Sequence, residues 1–345
     1  MKKFLCIFLL VIFVSCLIIS GCAKPSSQSS QSVITLTTLQ AFPPGHEMLA
    51  PGDWYINEVN KKGKGLVEIV VKGGPEACPA GDQLTMLQDG TIDFLNTCYT
   101  DKYIPEKNIG FSFFGATPME VREAGYLDIF DDVCRQKIGA AVIGNNHYWY
   151  GNIFMTKPIK TLADLKGIKV RSMPAYNPVL EELGMVPVQV GPADLYSALE
   201  TGVVDAVCSA FTMHLPSGCA DIAKYVIWPP FWVNINWFTF VNAKKYDSLP
   251  SDVKKILLDV AVEADKNAVA IMDKERKKDW EIMRDKYNLT VITLSEQEWM
   301  KVQEMQRTKG VLYIKDVSDP ELYKKVAPMA DLCWPPEYDR AKAPW

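Results

Sequence analysis

Residues 169–208 read KVRSMPAYNPVLEELGMVPVQVGPADLYSALETGVVDAVC, and this stretch decides the fold. Three short runs that contain valine alternate in it with two segments of helical pattern. The runs are Lys169–Arg171, Pro187–Val190 and Val203–Cys208, and the helical segments lie near Asn177–Leu183 and Ala193–Glu200. Such alternation is typical of a sheet covered by helices. The stretch therefore predicts one α/β lobe.

The chain nearer the amino terminus shows the same alternation. Strand-like runs at Val33–Leu39, Leu66–Lys72 and Ile92–Asn96 are separated by helical patterns at Gly45–Lys62 and Gly81–Asp89. These segments predict a second βαβαβ lobe. The roughly 310 residues that follow the amino-terminal segment are enough for two ordinary lobes with a cleft between them.

A strongly helical region follows Leu249-Pro250-Ser251. Its apolar residues recur every three or four positions, and the helical composition continues to about Arg284, which predicts a helix of roughly 30 residues or more. At about 1.5 Å per residue, such a helix is longer than one lobe is wide, so we expect it to cross both lobes. Ser295-Glu-Gln-Glu298 has the form of a capping box and predicts another helix. The aromatic- and proline-rich end, Trp334–Trp345, predicts an irregular segment packed on a lobe.

The first 22 residues, MKKFLCIFLLVIFVSCLIISGC, have the features of a secretory signal peptide. Charged residues precede an apolar run, and Ile19-Ser20-Gly21-Cys22 resembles the lipobox of bacterial lipoproteins. We predict that residues 1–21 are removed, that Cys22 carries a lipid and that residues 22–32 form a polar tether. The protein would then be membrane-anchored in the periplasm or at the cell surface. A transmembrane anchor is the alternative, because the apolar run approaches the length that spans a bilayer.

The charge balance argues against a nucleic-acid partner. Without residues 1–21 the chain loses two of its 37 Lys and Arg residues, keeps all 41 Asp and Glu residues, and has a formal net charge of −6. No run of Lys and Arg forms a basic stripe of the kind that binds phosphates. The densest basic cluster, Lys274–Lys278, also contains Glu275 and lies in helical sequence, so we expect a solvated helix face there.

The cysteines and histidines form no recognisable metal or catalytic motif. Six cysteines follow Cys22, none in a C-x-x-C spacing, and the three histidines are far apart in the chain. Export permits disulfides, so Cys208 with Cys219 and Cys78 with Cys98 are candidate pairs, and buried free thiols are the alternative. No histidine is placed to activate a cysteine nucleophile, and we predict no cofactor and no bound metal.

Three segments follow one another in a distinctive order. They are Thr161-Leu-Ala-Asp-Leu-Lys-Gly-Ile-Lys-Val-Arg171, Leu183-Gly-Met-Val-Pro187 and Asp194-Leu-Tyr-Ser-Ala-Leu-Glu-Thr-Gly-Val-Val-Asp205. In order and spacing they resemble the central signature of the DctP family, the solute-binding subunits of tripartite ATP-independent periplasmic (TRAP) transporters. Leu87-Gln-Asp-Gly-Thr-Ile-Asp93 and Val241-Asn-Ala-Lys-Lys-Tyr-Asp-Ser-Leu-Pro250 are similar to further segments of that family.

The resemblance implies an α/β fold: a two-lobed periplasmic binding protein, type II-like, with a long helix spanning both lobes. It implies capture of an organic acid and delivery to an ion-gradient-driven TRAP membrane permease, without enzyme activity. In this family the arginine of the Gly-x-Lys-x-Arg strand forms a paired salt bridge to the ligand carboxylate, and that position here is Arg171. We expect residues 33–148 with 237–276 to form lobe I, and residues 149–236 with 277–345 to form lobe II.

The segment Ala206-Val207-Cys208-Ser209 departs from the family pattern, in which many relatives carry Gly-Gln-Glu-Asn. Without the carboxylate, a metal-bridged small hydroxy acid lacks an oxygen ligand for a hard cation. A sugar acid is also disfavoured, because its hydroxyl groups need many convergent polar side chains. The departure therefore favours a less polar carboxylate.

Aromatic residues are concentrated where the chain is expected to cross between the lobes. His147-Tyr-Trp-Tyr150 lies near the first crossing, and Trp228, Phe231, Trp232 and Trp237 lie near the second. Such rings stack on flat ligands, although core packing is the alternative for each of them. We predict an aromatic or hydrophobic monocarboxylate, including an aromatic amino acid or a 2-oxo acid. The predicted ligand contacts are Arg171, Trp149, Tyr150, Tyr176, Asn177, Cys208, Phe211, Trp232, Trp237 and Glu76, with Asp82 as a further acceptor for an ammonium group.

Other functions stay open at this point. A ligand-sensing partner of a membrane receptor kinase would use the same pair of lobes, and a binding protein for a small hydroxy acid or a sugar acid would use the same arginine. An ATP-driven importer is a weaker alternative, because the Arg171 segment resembles the TRAP group. An exported enzyme would need a nucleophile with a base or a metal constellation, and the sequence offers neither.

Overall fold

Two mixed β-sheets, both accompanied by helices, organise the chain. The structure is a computed structural model that describes residues 32–96, 104–105, 116–191, 194–235 and 237–328, without the side chains of residues 149 and 233–235. Both sheets belong to a compact unit that begins at Val33. This architecture confirms the predicted α/β class.

The strands of the described residues alternate with helices along most of the chain. In chain order they are β1 (Ile34–Thr38), β2 (Val67–Val71), β3 (Phe94–Leu95), β4 (Ala140–Gly144), β5 (Trp149–Met155), β6 (Lys169–Arg171), β7 (Val186–Val188), β8 (Ala206–Ser209), β9 (Tyr225–Trp228), β10 (Trp232–Ile235), β11 (Thr239–Asn242) and β12 (Thr290–Thr293). The predicted strands are present, with ends shifted by up to three residues.

The first four strands and β11 form one sheet, and the remaining described strands form the other. The first sheet has the order β2-β1-β3-β11-β4, with β1 parallel to β2 and β3, and with β11 antiparallel to β3 and β4. The second has the order β12-β9-β5-β8-β6-β7, and β10 pairs with β5. In it β6 is parallel to both β7 and β8, so the carboxyl ends of these three strands lie at one edge.

The helices of the described residues include one that is far longer than the others. In chain order they are α1 (Ala50–Lys62), α2 (Gln83–Asp89), α3 (Pro118–Glu123), α4 (Tyr126–Ile138), α5 (Asn177–Glu182), α6 (Leu195–Glu200), α7 (Phe211–His214), α8 (Ala243–Ser248), α9 (Ser251–Tyr287), α10 (Glu296–Met305), α11 (Val311–Val317) and α12 (Pro320–Val326). The predicted capping box is confirmed at the start of α10, where Ser295 and Glu298 exchange hydrogen bonds. None of these helices combines the length with the apolar composition that crossing a bilayer requires.

The 37-residue helix α9 packs on both halves of the structure. Its amino-terminal half, including Leu257 and Ala264, lies in a core cluster with residues of β1 and β2. The backbone carbonyl of Leu257 also accepts a hydrogen bond from Tyr55 of α1 at 3.0 Å. Its carboxyl-terminal half places Trp280 edge-on to Phe211, just after β8. The helix therefore joins the two sheets, as predicted.

The chain passes between the sheets where the aromatic segments lie. It leaves β4 of the first sheet and enters β5 of the second at residues 145–148, and it returns between β10 and β11. The exact lobe boundaries stay a prediction. The predicted signal peptide, Cys22 and the carboxyl-terminal segment 334–345 lie outside the described residues.

One sequence expectation about α9 is wrong. The basic cluster at residues 274–278 does not form a uniformly solvated face, because Arg276 within it is buried. Arg276 lies four residues after Met272 and four before Trp280, so all three share the inner face of the helix. The charged neighbours on the outer face conceal this position in the sequence.

Candidate functional site

Arg171 is held at the carboxyl end of β6 by two backbone carbonyl groups. Its Nε group donates to the carbonyl oxygen of Val190 at 3.1 Å, and its Nη1 group donates to that of Cys208 at 3.4 Å. Val190 follows β7 and Cys208 belongs to β8, so the guanidinium is fixed between the ends of the two neighbouring strands. Ligands of open α/β sheets bind at this edge, outside the carboxyl ends of the strands.

Arg171 is the one described arginine without a carboxylate partner. Every other described arginine pairs with an Asp or Glu side chain: Arg122, Arg135, Arg276, Arg284 and Arg307. Three of the five N–H groups of Arg171 have no hydrogen-bond acceptor among the described residues. The side chain is half-buried. An anion that reaches this edge therefore meets an oriented cation with free donors.

The segment that follows Arg171 is partly buried and carries one ring of an aromatic pair. The Tyr176 ring lies against the Trp232 ring, with centroids 4.2 Å apart, and the hydroxyl group of Ser172 donates to Asn177 Oδ1. Cys208 is buried too. Burial raises the pKa of its thiol well above the ordinary value, against the opposing charge of Arg171, so the thiol stays neutral.

A small cavity lies beside the residues that follow Cys208 in the chain, and rings form much of its wall. It is lined by Tyr148, Tyr150, Ala210, Phe211, Thr212, Met272 and Arg276. The guanidinium carbon of Arg276 lies 3.9 Å from the centroid of the Tyr150 ring. Phe211 is edge-on to Trp228, with centroids 6.0 Å apart. The cavity combines an aromatic wall with a buried cation.

Trp237 belongs to a contact between elements of the two sheets. It packs with Phe42 and Met48, and Met48 Sδ accepts a hydrogen bond from Thr212 Oγ1 at 3.0 Å. His147 lies edge-on to Trp237, with centroids 5.4 Å apart. Burial lowers the pKa of His147 to about 4, so this contact holds a neutral ring at physiological pH. The structure places Trp237 here and not among the residues that line the cavity.

Another small cavity lies beside α1 at the ends of β1 and β3. Its polar wall includes Gln40 and Asp53, and Gln40 Nε2 donates to Asp53 Oδ1 at 2.6 Å. Burial raises the pKa of Asp53. None of the lining residues is positively charged, so this cavity is poorly suited to an anion.

The predicted acceptors for an ammonium group are not gathered around the cavity. Glu76 and Asp82 are exposed, and the Glu76 carboxylate accepts the N–H of Gly74 at 2.6 Å, which lowers the pKa of Glu76. Trp149 lies in β5, but its side chain is outside the described part of the structure. The ligand-binding roles of these residues stay predictions.

The structure thus brings the predicted residues together in three pairs. Arg171 contacts the carbonyl group of Cys208, Tyr176 packs against Trp232, and Tyr150 and Phe211 line the same cavity. Arg276, Met272 and Thr212 of that cavity were missed by the sequence reasoning. The spacing of Met272 and Arg276, four residues apart on α9, was a signal that could have placed them on one face.

The cysteines resolve one open alternative. Cys78, Cys134, Cys208 and Cys219 are free thiols, so the candidate disulfide between Cys208 and Cys219 is not formed. Cys98 and Cys333 lie outside the described residues. In the described ranges, no group of three or more His, Cys, Asp and Glu residues could hold a metal ion.

The arrangement can bind an organic anion through its carboxylate group. A carboxylate can accept two parallel hydrogen bonds from a guanidinium, and such charge-assisted pairs are stronger than neutral ones. A low-dielectric surrounding strengthens the pair further. The body of the acid can then pack on the nearby rings.

Comparisons with known proteins relate the chain to one family. A family model described as bacterial extracellular solute-binding protein, family 7 (DctP), matches residues 55–309. A curated relative from Albidiferax ferrireducens, described as a solute-binding protein, is 23% identical over 233 residues. That match covers 63% of this chain and 67% of the relative.

Solved structures show the same fold. A TRAP periplasmic solute-binding protein from Rhodoferax ferrireducens with bound malonate has a TM-score of 0.73 and 21% identity, covering 86% of this chain and 98% of that chain. Another from Desulfovibrio salexigens with bound orotic acid has a TM-score of 0.73 and 17% identity, covering 89% and 99%. These likenesses confirm the predicted two-lobed fold.

Proposed function

The chain belongs to the DctP family of bacterial extracellular solute-binding proteins, the solute-binding subunits of TRAP transporters, and from this we propose that Arg171 binds the carboxylate of an organic acid. The observation that carries the proposal is the state of Arg171: oriented by two carbonyl groups, half-buried and without a carboxylate partner among the described residues. A family of solute-binding proteins, and not of enzymes, fits a site of this kind.

The ligand class that we favour is an aromatic or hydrophobic monocarboxylate, with an aromatic amino acid included. Tyr176 follows the strand that carries Arg171, and its ring packs against Trp232, while Tyr150 and Phe211 line the cavity. The flat heterocyclic acid bound by the Desulfovibrio salexigens protein supports this class, whereas the malonate bound by the Rhodoferax ferrireducens protein supports a small acid.

The role in the cell follows from the family. We infer delivery of the bound acid to a TRAP membrane permease driven by an ion gradient. The lipid anchor at Cys22 and a position in the periplasm or at the cell surface are part of the proposal, as are the ligand contacts beyond Arg171. The role beside a receptor kinase stays a prediction.

Thermal shift and titration calorimetry with a panel of carboxylates test the proposal. The panel is phenylacetate, indole-3-acetate, lactate, succinate and D-glucuronate. An acid present at 100 times its Kd adds about 2.7 kcal/mol to the free energy of unfolding, which raises Tm by several degrees. We expect this shift with the aromatic acids.

Variants at two arginines separate the binding role from a structural one. Arg171→Met should abolish the shift and the calorimetric signal, because the carboxylate loses its charge-assisted hydrogen bonds, while Tm without ligand stays nearly unchanged. Arg307→Met, which removes an exposed and already paired arginine, should bind as the native protein does. Native affinity in Arg171→Met would refute the proposal. A response limited to lactate, succinate or D-glucuronate would keep Arg171 and reject the aromatic class.

A further inference from the structure

We propose that Arg276 is a second recognition group of this site, and that the ligand is a compact aromatic acid with a second oxygen acceptor opposite its carboxylate. The inference rests on the proposed function and narrows its ligand class. A ring carbonyl oxygen, a phenolic hydroxyl group and a second carboxylate share the acceptor chemistry that a guanidinium recognises.

Arg276 is buried at a place where burial of a charge is costly. Only 8% of its side chain is exposed, whereas the side chain of Lys278, two residues further on the same helix, is 57% exposed. Removing a guanidinium from water is unfavourable unless its surroundings compensate. A cation kept at such a position therefore calls for a reason beyond solubility.

Two groups supply part of the compensation within the protein. The Tyr150 ring covers the guanidinium at 3.9 Å, an arrangement that stabilises a desolvated cation. Asp273, one turn earlier on α9, pairs with Arg276 from a position where its own side chain is 44% exposed. The carboxylate partner thus lies towards solvent, and the arginine lines the cavity.

The charges around the cavity fit an oxygen acceptor better than an ammonium group. Arg276 is the one charged residue among the described residues that line the cavity. Tyr148, Tyr150 and Phe211 supply rings on which an aromatic ligand can pack. An acid with an oxygen at its far end would therefore find a donor there, whereas an ammonium group would meet a like charge.

The distance from Arg171 to the cavity suits a ligand with one ring. Arg171 Nη1 lies 3.4 Å from the carbonyl oxygen of Cys208, and Ala210, two residues later in extended conformation, lines the cavity. Two extended residues span about 7 Å. A benzene ring that carries polar groups at opposite positions has a comparable length, so a one-ring acid bound to Arg171 would extend to the cavity that Arg276 lines.

The test is calorimetry with three matched probes: phenylacetate, 4-hydroxyphenylacetate and 4-carboxyphenylacetate. In the native protein at least one probe with the second oxygen should bind about 10-fold tighter than phenylacetate, as expected for one charge-assisted hydrogen bond. The better of the two identifies a hydroxyl group or a carboxylate as the preferred acceptor. In Arg276→Met this advantage should fall below about 2-fold, with phenylacetate affected least.

Two further variants keep the outcome decisive. Arg276→Lys retains the charge without the planar fork and should keep only part of the advantage, and its result decides the matter if Arg276→Met does not fold. Arg284→Met, an exposed paired arginine on the same helix, should leave the advantage unchanged.

The outcomes separate this inference from the proposed function. An advantage that persists in both Arg276 variants, or that is absent from the native protein, overturns the inference while binding through Arg171 stands. If none of the three probes binds, the inference fails as well, and Arg171-dependent binding of another acid would preserve the proposed function. Native binding of all probes by Arg171→Met would reject the proposed function itself.

Discussion

Asp279 of α9 is a buried carboxylate whose replacement should change the pH dependence of stability. The residue is 0% exposed, and neither carboxylate oxygen has a hydrogen-bond partner among the described residues. Burial, together with the negative charges of Glu47 and Glu275, raises its pKa to about 7, and Lys278 opposes this only in part because it pairs with Glu47 at 3.4 Å. Asp279→Asn keeps the shape of the side chain and removes the ionisation.

The magnitude follows from the two pKa values. An ordinary aspartate has a pKa of 3.8, so the folded protein binds the proton more tightly than the unfolded chain. The native free energy of unfolding should therefore fall as the pH rises from about 4 to about 7 and become level above that. At about 1.4 kcal/mol for each pH unit, the total is about 4 kcal/mol. Asp279→Asn should lack this loss and be more stable than the native protein at pH 8.

Urea unfolding at several pH values from about 4.5 to 8.5 measures the effect. Burial raises the pKa of Asp265 to about 6, so Asp265 titrates in the same pH range. It lies roughly 21 Å from Asp279 along the helix, and its contribution should therefore be the same in Asp279→Asn and in the native protein. Asp285→Asn, on the same helix but exposed and paired with Arg284, serves as the matched control and should show no gain. The reasoning is refuted if the difference in free energy of unfolding between Asp279→Asn and the native protein changes by less than about 1 kcal/mol over this pH range.

Two other substitutions probe buried polar contacts. Arg122→Met removes the partner of the buried Asp265 carboxylate, whose Oδ2 lies 2.7 Å from Arg122 Nε. The substitution should lower the free energy of unfolding at pH 8 by about 3–5 kcal/mol. A loss below about 1 kcal/mol in urea unfolding would contradict this expectation. Trp299→Phe removes the hydrogen bond from Nε1 to the carbonyl oxygen of Pro230 at 2.8 Å and should cost about 1–3 kcal/mol, a value that an unchanged Tm would exclude.

The position of Arg171 could be predicted because its signal is local. The strand that carries it, the glycine before that strand and the helix after it all lie within one stretch of sequence. The same holds for the capping box at Ser295, where two residues three positions apart satisfy each other. Features of this kind depend on residues that are close in sequence, and both features are present in the structure.

Arg276 could not be predicted, because its environment is assembled from distant parts of the chain. The charged residues around it in sequence are typical of a solvated face, and the Tyr150 ring that covers it belongs to a strand far earlier in the chain. The aromatic residues raised the same difficulty. Composition indicated rings near the crossings, but only the tertiary contacts separate Trp237, in the contact with Met48, from Phe211, in the cavity wall.

The two halves of α9 pack on different cores, and the helix can therefore bend most easily where the two halves meet. Between Ala264, in the cluster with β1 and β2, and Ala268, in the cluster with Trp280, the apolar face passes from one set of neighbours to the other. Both residues at this junction have the smallest apolar side chain, so bending there disturbs little packing. Rotation of one lobe against the other would concentrate its curvature at this point, and local unfolding of either lobe would release only the half of the helix that it holds.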